Sequence, residues 1–357
     1  MKNFLVSMFL LYSCLLYRCS VSAQAVSGKN DLFETDEVLE LTLKGNVKKV
    51  LNDRSDNSTY HSLQLLYKTK TGEDITLPVE VKTRGHFRKL KSNCTYPPLL
   101  VNFSKSDTLK ASVFEGQDKL KLVMPCVGDQ YVIREWIVYK LYNLVTPESF
   151  RARLVKVKLD AEDDKKVIPP FYGLLLEDEK KMAKRNGQVS IERKIKPDQL
   201  FQDAFLNMSV FEYLIGNTDW SVEYLQNIKL IGEDSLTLIP VAVPYDFDHA
   251  GLVNAPYARP AEALELNTVR DRRYRGYCVA DIKTFDSTIA LFNRLKDTIY
   301  NTYTSSTLLD EKYIKSTVRY LDEFYEIINN KAALKKEFKY PCDVTGTGNV
   351  IIKGMKQ

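Results

Sequence analysis

Residues that bind zinc are scarce and widely spaced in this sequence. Its three histidines, His61, His86 and His249, stand far apart, and no two cysteines form a CxxC pair. A structural zinc site needs closely spaced cysteine and histidine ligands, so we exclude one. The sequence also lacks internal repeats and long linkers.

The surplus of basic residues is small. Lys and Arg number 51 against 46 Asp and Glu, and the formal net charge of +5 is spread along the chain. We therefore expect no nucleic-acid partner. Hydrophobic residues occupy 44% of the 357 positions, enough to bury a sizeable core. This composition excludes a disordered chain, a collagen-like repeat and a small disulfide scaffold.

The one apolar stretch that concerns a membrane lies at the N-terminus. Lys2 precedes the apolar run Phe4–Tyr17, and the small residues Ser20–Ala23 follow. This order is typical of a secretory signal, whereas a transmembrane anchor needs about 20 apolar residues. We predict that residues 1–23 are a signal peptide. The mature protein is then exported, periplasmic or secreted, with no stable membrane insertion.

Removal of this segment leaves an even number of cysteines. They are Cys94, Cys126, Cys278 and Cys342. An even number in an exported protein favours disulfides, and four cysteines allow three connectivities. We prefer Cys94 with Cys126 and Cys278 with Cys342, because each pair then stays within one half of the chain.

The hydrophobic pattern divides the chain near residue 180. Residues 24–180 alternate apolar and polar positions, which indicates half-buried strands. Strands are predicted at Ile75–Val81, Lys119–Leu122, Val155–Leu159 and Tyr172–Leu176, with one helix at Gln130–Val145.

Residues 181–357 have mainly helical periodicity. Helices are predicted at Leu200–Ile215, Ile282–Thr302 and Leu309–Phe338, and a hairpin at Asn227–Ile231 and Leu236–Val243. The outline is an α+β arrangement of a strand-rich N-terminal lobe and a helical C-terminal lobe, with a cleft between them.

Four oxygen-bearing side chains stand around the predicted hairpin. Asp219 precedes its first strand, Asn227 begins that strand, and Asp246 and Asp248 follow its second. Carboxylate and carboxamide oxygens suit Mg²⁺ or Mn²⁺ carrying a nucleotide phosphate. The alternative is that these residues cap helices and turns. We favour metal binding because a hairpin would bring the four together.

Other charged residues near the predicted cleft are candidates for nucleotide binding. Arg84 ends a strand next to Gly85, and an arginine there suits phosphate. Lys119 and Lys121 lie on the polar face of their strand, and either could pair with Glu135. Glu177 ends an apolar strand near the lobe junction. The alternative for each residue is that it is only a surface charge or that it only ends its strand.

Two further features have weaker functional interpretations. His249 next to Asp248 would suit a metal or a general base, but more often such a histidine bonds within a loop. The basic run 270–275 would suit an acidic substrate, although a solvated face is commoner.

In these motifs the chain resembles the CotH-like family of atypical kinases. The resemblance runs from about Val79 to Leu252. It rests on Arg84-Gly85, Lys119-Leu120-Lys121-Leu122 before a helix with Arg134, Tyr172-Gly173-Leu174 leading to Glu177, Gly216-Asn217-Thr218-Asp219-Trp220 with Asn227, and Tyr245-Asp246-Phe247-Asp248.

The resemblance implies a two-lobed protein-kinase-like fold that binds ATP with Mg²⁺ or Mn²⁺. It implies that Asp219 is the catalytic acid, that Asp246 and Asn227 hold the metal, and that Glu177 contacts the nucleotide at the hinge. The chain differs from protein kinases in the spacing of Asp219 and Asn227 and in having no G-x-G-x-x-G loop near the N-terminus.

We therefore expect an exported kinase that phosphorylates a Ser or Thr hydroxyl of an unknown protein acceptor. Adenylyl transfer would use the same residues. A non-catalytic binding or scaffold protein at the cell envelope is the alternative from another class. A third interpretation, a nucleotide-sugar glycosyltransferase, takes Asp246-Phe247-Asp248 as a DxD motif, but it needs an N-terminal βαβ fold that the strand order does not favour.

Overall fold

A computed structural model describes residues 32–161, 168–276, 279 and 281–338. The predicted signal peptide, residues 1–23, lies outside these residues, as do Cys278 and Cys342. The signal peptide and the pairing of those two cysteines therefore stay predictions.

The alternating segments of the N-terminal half form a barrel of seven strands. These strands are β1 (Leu39–Gly45), β2 (His61–Lys68), β3 (Asp74–Thr83), β4 (Leu99–Phe103), β5 (Lys119–Val123), β6 (Ala152–Ala161) and β7 (Phe171–Leu176). Their inward side chains, such as Leu43, Leu65, Val81 and Val157, are almost wholly buried in one core. Period-two alternation thus gives each strand one face toward the barrel interior.

Pairing between distant strands closes the barrel. The order around it is β1-β2-β3-β4-β5-β7-β6. β1 pairs in parallel with β6, from Leu39 opposite Val155 to Gly45 opposite Ala161. The other neighbouring strands of the barrel are antiparallel.

Eight α-helices are found in the described part of the chain. They are α1 (Val47–Asn52), α2 (Asp107–Lys110), α3 (Gln130–Val145), α4 (Glu179–Arg185), α5 (Gln202–Ile215), α6 (Asp286–Thr304), α7 (Glu311–Asn329) and α8 (Lys331–Glu337). The segment expected as one helix at 309–338 is two, because the Asn330 side chain accepts hydrogen bonds from the first amides of α8 and starts a new helix there. No helix of the described ranges combines the length and apolarity that a membrane crossing requires.

A second core lies between the helices and a small sheet. The sheet joins β8 (Val189–Ile191), β9 (Ile228–Gly232) and β10 (Val241–Pro244) in the order β10-β9-β8. Apolar side chains of α3 and α5, including Ile137, Val138 and Phe211, pack into this core together with Phe247. α3 belongs to the N-terminal half of the sequence but packs with the C-terminal half.

The predicted two-lobed protein-kinase-like fold, with a strand-rich N-lobe and a helical C-lobe, is wrong. Within the described ranges, the structure is a closed, mixed seven-stranded barrel joined to eight α-helices and a three-stranded sheet. Alternation in the sequence shows that one face of a strand is buried, but it does not show which strands pair. The parallel contact between β1 and β6 links residues more than a hundred positions apart.

The second strand of the hairpin is shorter than predicted. It begins at Val241 and not at Leu236. Leu236 and Leu238 lie in the connecting segment and are 78% and 79% exposed. The apolar run from Leu236 predicts a strand, but its first residues are exposed to solvent and the strand begins only at Val241.

The structure joins Cys94 and Cys126 by a disulfide, which is one of the two predicted pairings. Cys94 lies in the long loop between β3 and β4, and Cys126 follows β5. The disulfide therefore ties the loop that carries Arg88 to the segment that enters α3.

Packing inside the barrel gives the first prediction. Leu43 is fully buried between β2 and β6. We expect Leu43→Ala to lower the free energy of unfolding by about 2–5 kcal/mol, because it removes buried methyl groups and leaves a cavity. Chemical denaturation measures this loss. The exposed Leu238→Ala is the control and should change it by less than about 0.5 kcal/mol; equal effects would contradict the barrel core.

Candidate active site

The loop that carries Asp219 begins at a left-handed glycine. Gly216 ends α5 with φ +69°, and a Cβ there would lie 2.1 Å from the Tyr320 hydroxyl oxygen. Only glycine fits this C-cap without displacing its neighbours. The Asn217 side chain then accepts a hydrogen bond from the Asp219 amide at 3.1 Å. The sharp end of α5 therefore sets the position of Asp219.

The Asp219 carboxylate is held by two side-chain amides. Gln226 donates to one oxygen at 2.6 Å, and Asn227 donates to the other at 3.0 Å. The same Asn227 nitrogen also donates to the Asp219 carbonyl at 2.7 Å. Burial raises the pKa of Asp219, while His249 lowers it and Asp246 raises it further. The structure thus brings Asp219 and Asn227 into contact.

Asp246 reaches this group through the β9–β10 hairpin. The Tyr245 amide donates to the Asn227 carbonyl at 3.0 Å, and the Asp246 amide donates to the Tyr139 hydroxyl on α3 at 2.8 Å. Asp246 has φ +64°, a left-handed conformation that costs a non-glycine residue about 1 kcal/mol or more. Such a conformation persists only when its surroundings impose it, and it is commonest at functional sites.

Three acidic side chains lie close together at this point, two of them buried and the third, Asp246, half-buried. They are Asp246, Asp248 and Glu135 on α3. Burial and the charge of Asp248 raise the pKa of Asp246. Burial, Asp248 and Asp246 raise the pKa of Glu135 well above its ordinary value. Like charges in a desolvated space repel, so the cluster needs cations to stay ionised.

Arg88 supplies the first of these cations, and sequence reasoning missed it. Its guanidinium lies 3.4 Å from Asp248 and 4.0 Å from Glu135, and it donates to the Met124 carbonyl. Asp248 also accepts a hydrogen bond from Tyr257 at 3.0 Å. Burial alone would lower the pKa of Arg88, but the surrounding acidic groups raise it above its usual range.

Lys121 and Arg84 face the same acids from the barrel. The Lys121 ammonium lies 4.7 Å from the centroid of the Tyr245 ring. Burial and the nearby Arg84 lower the pKa of Lys121 to about 8, while Asp246 acts in the opposite direction. Arg84 and Lys121 in turn lower the pKa of Asp246. Both cations are therefore in the electrostatic environment of Asp246, and their predicted role in nucleotide binding stays a prediction.

Two predicted residues stand apart from the acidic cluster. Lys119 is exposed at the start of β5. Glu177 is buried, but its carboxylate is already engaged: Arg185 donates to both oxygens at 3.0 Å, and the Arg151 amide donates to it at 2.9 Å. This ion pair ties the end of β7 to α4.

A buried glutamate lies behind the Asp219 loop. Burial raises the pKa of Glu212 on α5 to about 8, whereas Asn217 and Arg275 act to lower it. Arg275 donates to the carbonyls of Thr218 and Trp220 on either side of Asp219. Glu212 and Arg275 are therefore positioning residues for the Asp219 loop.

The loops around Asp246 contain oxygen donors of the chemical type that magnesium-type ions prefer. No group of three His, Cys, Asp or Glu side chains that could hold a metal ion was found in the described ranges. Mg²⁺ is usually bound by one or two carboxylates together with phosphate oxygens and water. Asp246, Asp248 and the Asn227 side chain carry oxygen donors of this kind, although Arg88 and Tyr257 already contact Asp248.

Comparison with models of known protein families finds no match for this chain. A comparison with curated proteins also finds none.

The burial of Arg88 generates a prediction. We expect Arg88→Met to lower the free energy of unfolding by about 3–5 kcal/mol, because Asp248 and Glu135 lose their buried counter-charge. Because burial raises the pKa of Glu135, the loss should be smaller at acidic pH, where Glu135 is protonated and needs no counter-charge. Denaturation at several pH values measures it. Lys91→Met removes an exposed charge three residues away and should have little effect; an equal loss in both variants would contradict the buried role of Arg88.

Glu212 generates a prediction about pH. A carboxyl group whose pKa is higher in the folded state stabilises the fold when it is protonated. The stabilising contribution of Glu212 is complete below pH 4.5, the pKa of a glutamate in the unfolded chain. It is lost as the pH rises to about 8, the pKa of Glu212 in the folded protein. In this window the stability of the wild type should fall relative to Glu212→Gln, by at most about 1.4 kcal/mol per pH unit.

Denaturation curves across the same window measure the difference. Glu326→Gln on the exposed face of α7 serves as the control and should follow the wild type. Parallel curves for wild type and Glu212→Gln would show that Glu212 does not take up a proton on folding.

Proposed function

We propose that this protein transfers the γ-phosphoryl group of ATP, bound with Mg²⁺ or Mn²⁺, to a hydroxyl group of a protein. The observation that carries the proposal is the convergence of Asp219, Asn227 and Asp246 with the cations Lys121 and Arg84. The proposal rests on these side chains and not on the fold, since the fold is not the kinase-like one that the sequence predicts.

Asp219 has the surroundings that an acceptor-orienting acid needs. Two amides fix its carboxylate, and burial raises its pKa. In the transfer, the acceptor oxygen forms a bond to the γ-phosphorus while the bond from that phosphorus to the β-γ bridging oxygen breaks. The acceptor proton passes to Asp219, and ADP leaves.

Asp246, Asp248 and Asn227 are the residues that would hold the metal. The ion would neutralise charge on the phosphate oxygens during transfer. Lys121 and Arg84 would bind the same phosphates by charge-assisted hydrogen bonds. Desolvation strengthens these contacts, because water does not screen them.

Export is part of the proposal. The predicted signal peptide places the mature chain outside the cytosol, and the Cys94–Cys126 disulfide supports an oxidising compartment. The acceptor would then be an exported or surface protein.

A second candidate function is nucleotide or anion binding without transfer. It is favoured by the pairing of Asp248 with Arg88 and Tyr257, which engages one of the metal-binding candidates within the chain. In that case the protein would act as a scaffold.

The test is the intact mass of the purified protein after incubation with ATP and Mg²⁺ or Mn²⁺. Asp246→Asn, which removes a charge while keeping the shape, is compared with Asp203→Asn at an exposed position of α5. We expect a phosphoryl-sized increment in the wild type and in Asp203→Asn, and at least about a hundredfold slower transfer in Asp246→Asn.

Other outcomes would overturn the proposal in distinct ways. An adenylyl-sized increment would assign adenylyl transfer to the same residues. An ATP-induced rise in melting temperature without any increment, and without ADP release when a generic protein acceptor is added, would favour non-catalytic binding. Selective binding of a nucleotide sugar over ATP would favour a glycosyltransferase.

A further inference from the structure

A second group of basic side chains surrounds a separate cavity of about 270 Å³ beside the N-terminus of α7. Arg134, Arg270 and Lys312 line it, and Asp310 is the single acid among the described residues that do so. Three cations against one carboxylate leave the lining positively charged. None of these residues belongs to the candidate active site.

The Arg134 guanidinium is held in place by aromatic rings. It lies 3.8 Å from the centroid of the Tyr313 ring and 5.0 Å from that of Tyr131. Its polar contacts are long: 3.3 Å to the Val253 carbonyl and 3.7 Å to Asp310. Stacking fixes the plane of the guanidinium, while these contacts use little of its hydrogen-bonding capacity.

Arg270 has the same character. It lies 4.4 Å from the centroid of the Tyr320 ring, and its contacts to the carbonyls of Gly251 and Ser316 measure 3.5 and 3.4 Å. Not all residues of the basic run 270–275 therefore form a solvated face. Arg272 also stacks on Tyr320, and Arg275 is buried.

The N-terminus of α7 adds a positive electrostatic potential at this cavity. Asp310 is its N-cap and accepts a hydrogen bond from the Tyr313 amide at 2.8 Å. α7 has 19 residues, so its N-terminus carries a substantial partial positive charge. The Asp310 carboxylate offsets part of this charge, so the stacked arginines and Lys312 supply most of the attraction for an anion.

We propose that this cavity binds a phosphate-type dianion. A tetrahedral oxyanion accepts several hydrogen bonds at once and matches two fixed guanidinium groups and one lysine. The ligand is either free phosphate or the phosphate of a phosphorylated side chain, which share this chemistry. The proposal does not depend on phosphoryl transfer at the candidate active site.

The site lies against the segment that leaves Asp248. Arg134 and Arg270 contact the carbonyls of Val253 and Gly251, and the Gly251 amide donates to the Gly216 carbonyl at 3.1 Å. Gly216 starts the Asp219 loop. A bound anion would therefore lie next to the segment after Asp248, which the hydrogen bond from Gly251 to Gly216 links to the Asp219 loop.

The experiment is a calorimetric titration of the purified protein with inorganic phosphate, without ATP or metal. Arg270→Gln should weaken binding by about tenfold or more, since it removes charge-assisted hydrogen bonds. Lys312→Gln should weaken it by about threefold, because Lys312 is exposed. The control Lys315→Gln removes the same charge from the next exposed turn of α7 and should stay within about twofold of the wild type.

A second titration with O-phosphoserine blocked at both ends separates the two sources. Tighter binding than inorganic phosphate would indicate a phosphorylated side chain, and equal or weaker binding would indicate free phosphate.

No phosphate binding, or an equal loss in Lys315→Gln and Lys312→Gln, would overturn the proposal. Loss in Arg84→Gln with full binding in both cavity variants would also overturn it and assign the phosphate to the candidate active site. Lys312→Gln keeps the test valid if Arg270→Gln does not fold.

Discussion

The burial of Arg88 among Glu135, Asp246 and Asp248 is the interaction on which the rest of the site depends. Three carboxyl groups in a desolvated space repel one another, and burial together with this repulsion raises the pKa of Glu135 and of Asp246. Arg88 offers a charge that persists at any physiological pH. With it in place, Asp246 can carry a negative charge while hidden from most of the solvent.

Several parts of the fold serve to hold that arginine and its partners. β5 supplies Lys121, the loop after β3 supplies Arg84, and the end of the hairpin supplies Asp246. α3 supplies Glu135 and the Tyr139 hydroxyl that accepts from the Asp246 amide. The disulfide fixes the loop of Arg88 to the entry of α3. α3 therefore connects the second core with the charged cluster, because one helix contributes to both.

Local patterns in the sequence predict the helix at Gln130–Val145 and the approach of Asp219, Asn227 and Asp246, because both depend on neighbouring residues and one hairpin. They do not predict the barrel, whose closure depends on the distant pairing of β1 with β6. Arg88 was missed for a similar reason: two arginines stand four positions apart in one loop, and only the folded chain shows which is buried. Glu177 looks like a ligand in sequence, but Arg185 already binds it.

The backbone conformation at position 246 limits which amino acids this position accepts during evolution. The left-handed conformation there suits glycine, while the cations around it suit an aspartate. No single natural residue meets both demands without loss. Glycine would relieve the backbone strain but would leave Lys121 and Arg84 without this carboxylate, so a retained aspartate in related chains would record a demand for charge that outweighs backbone strain.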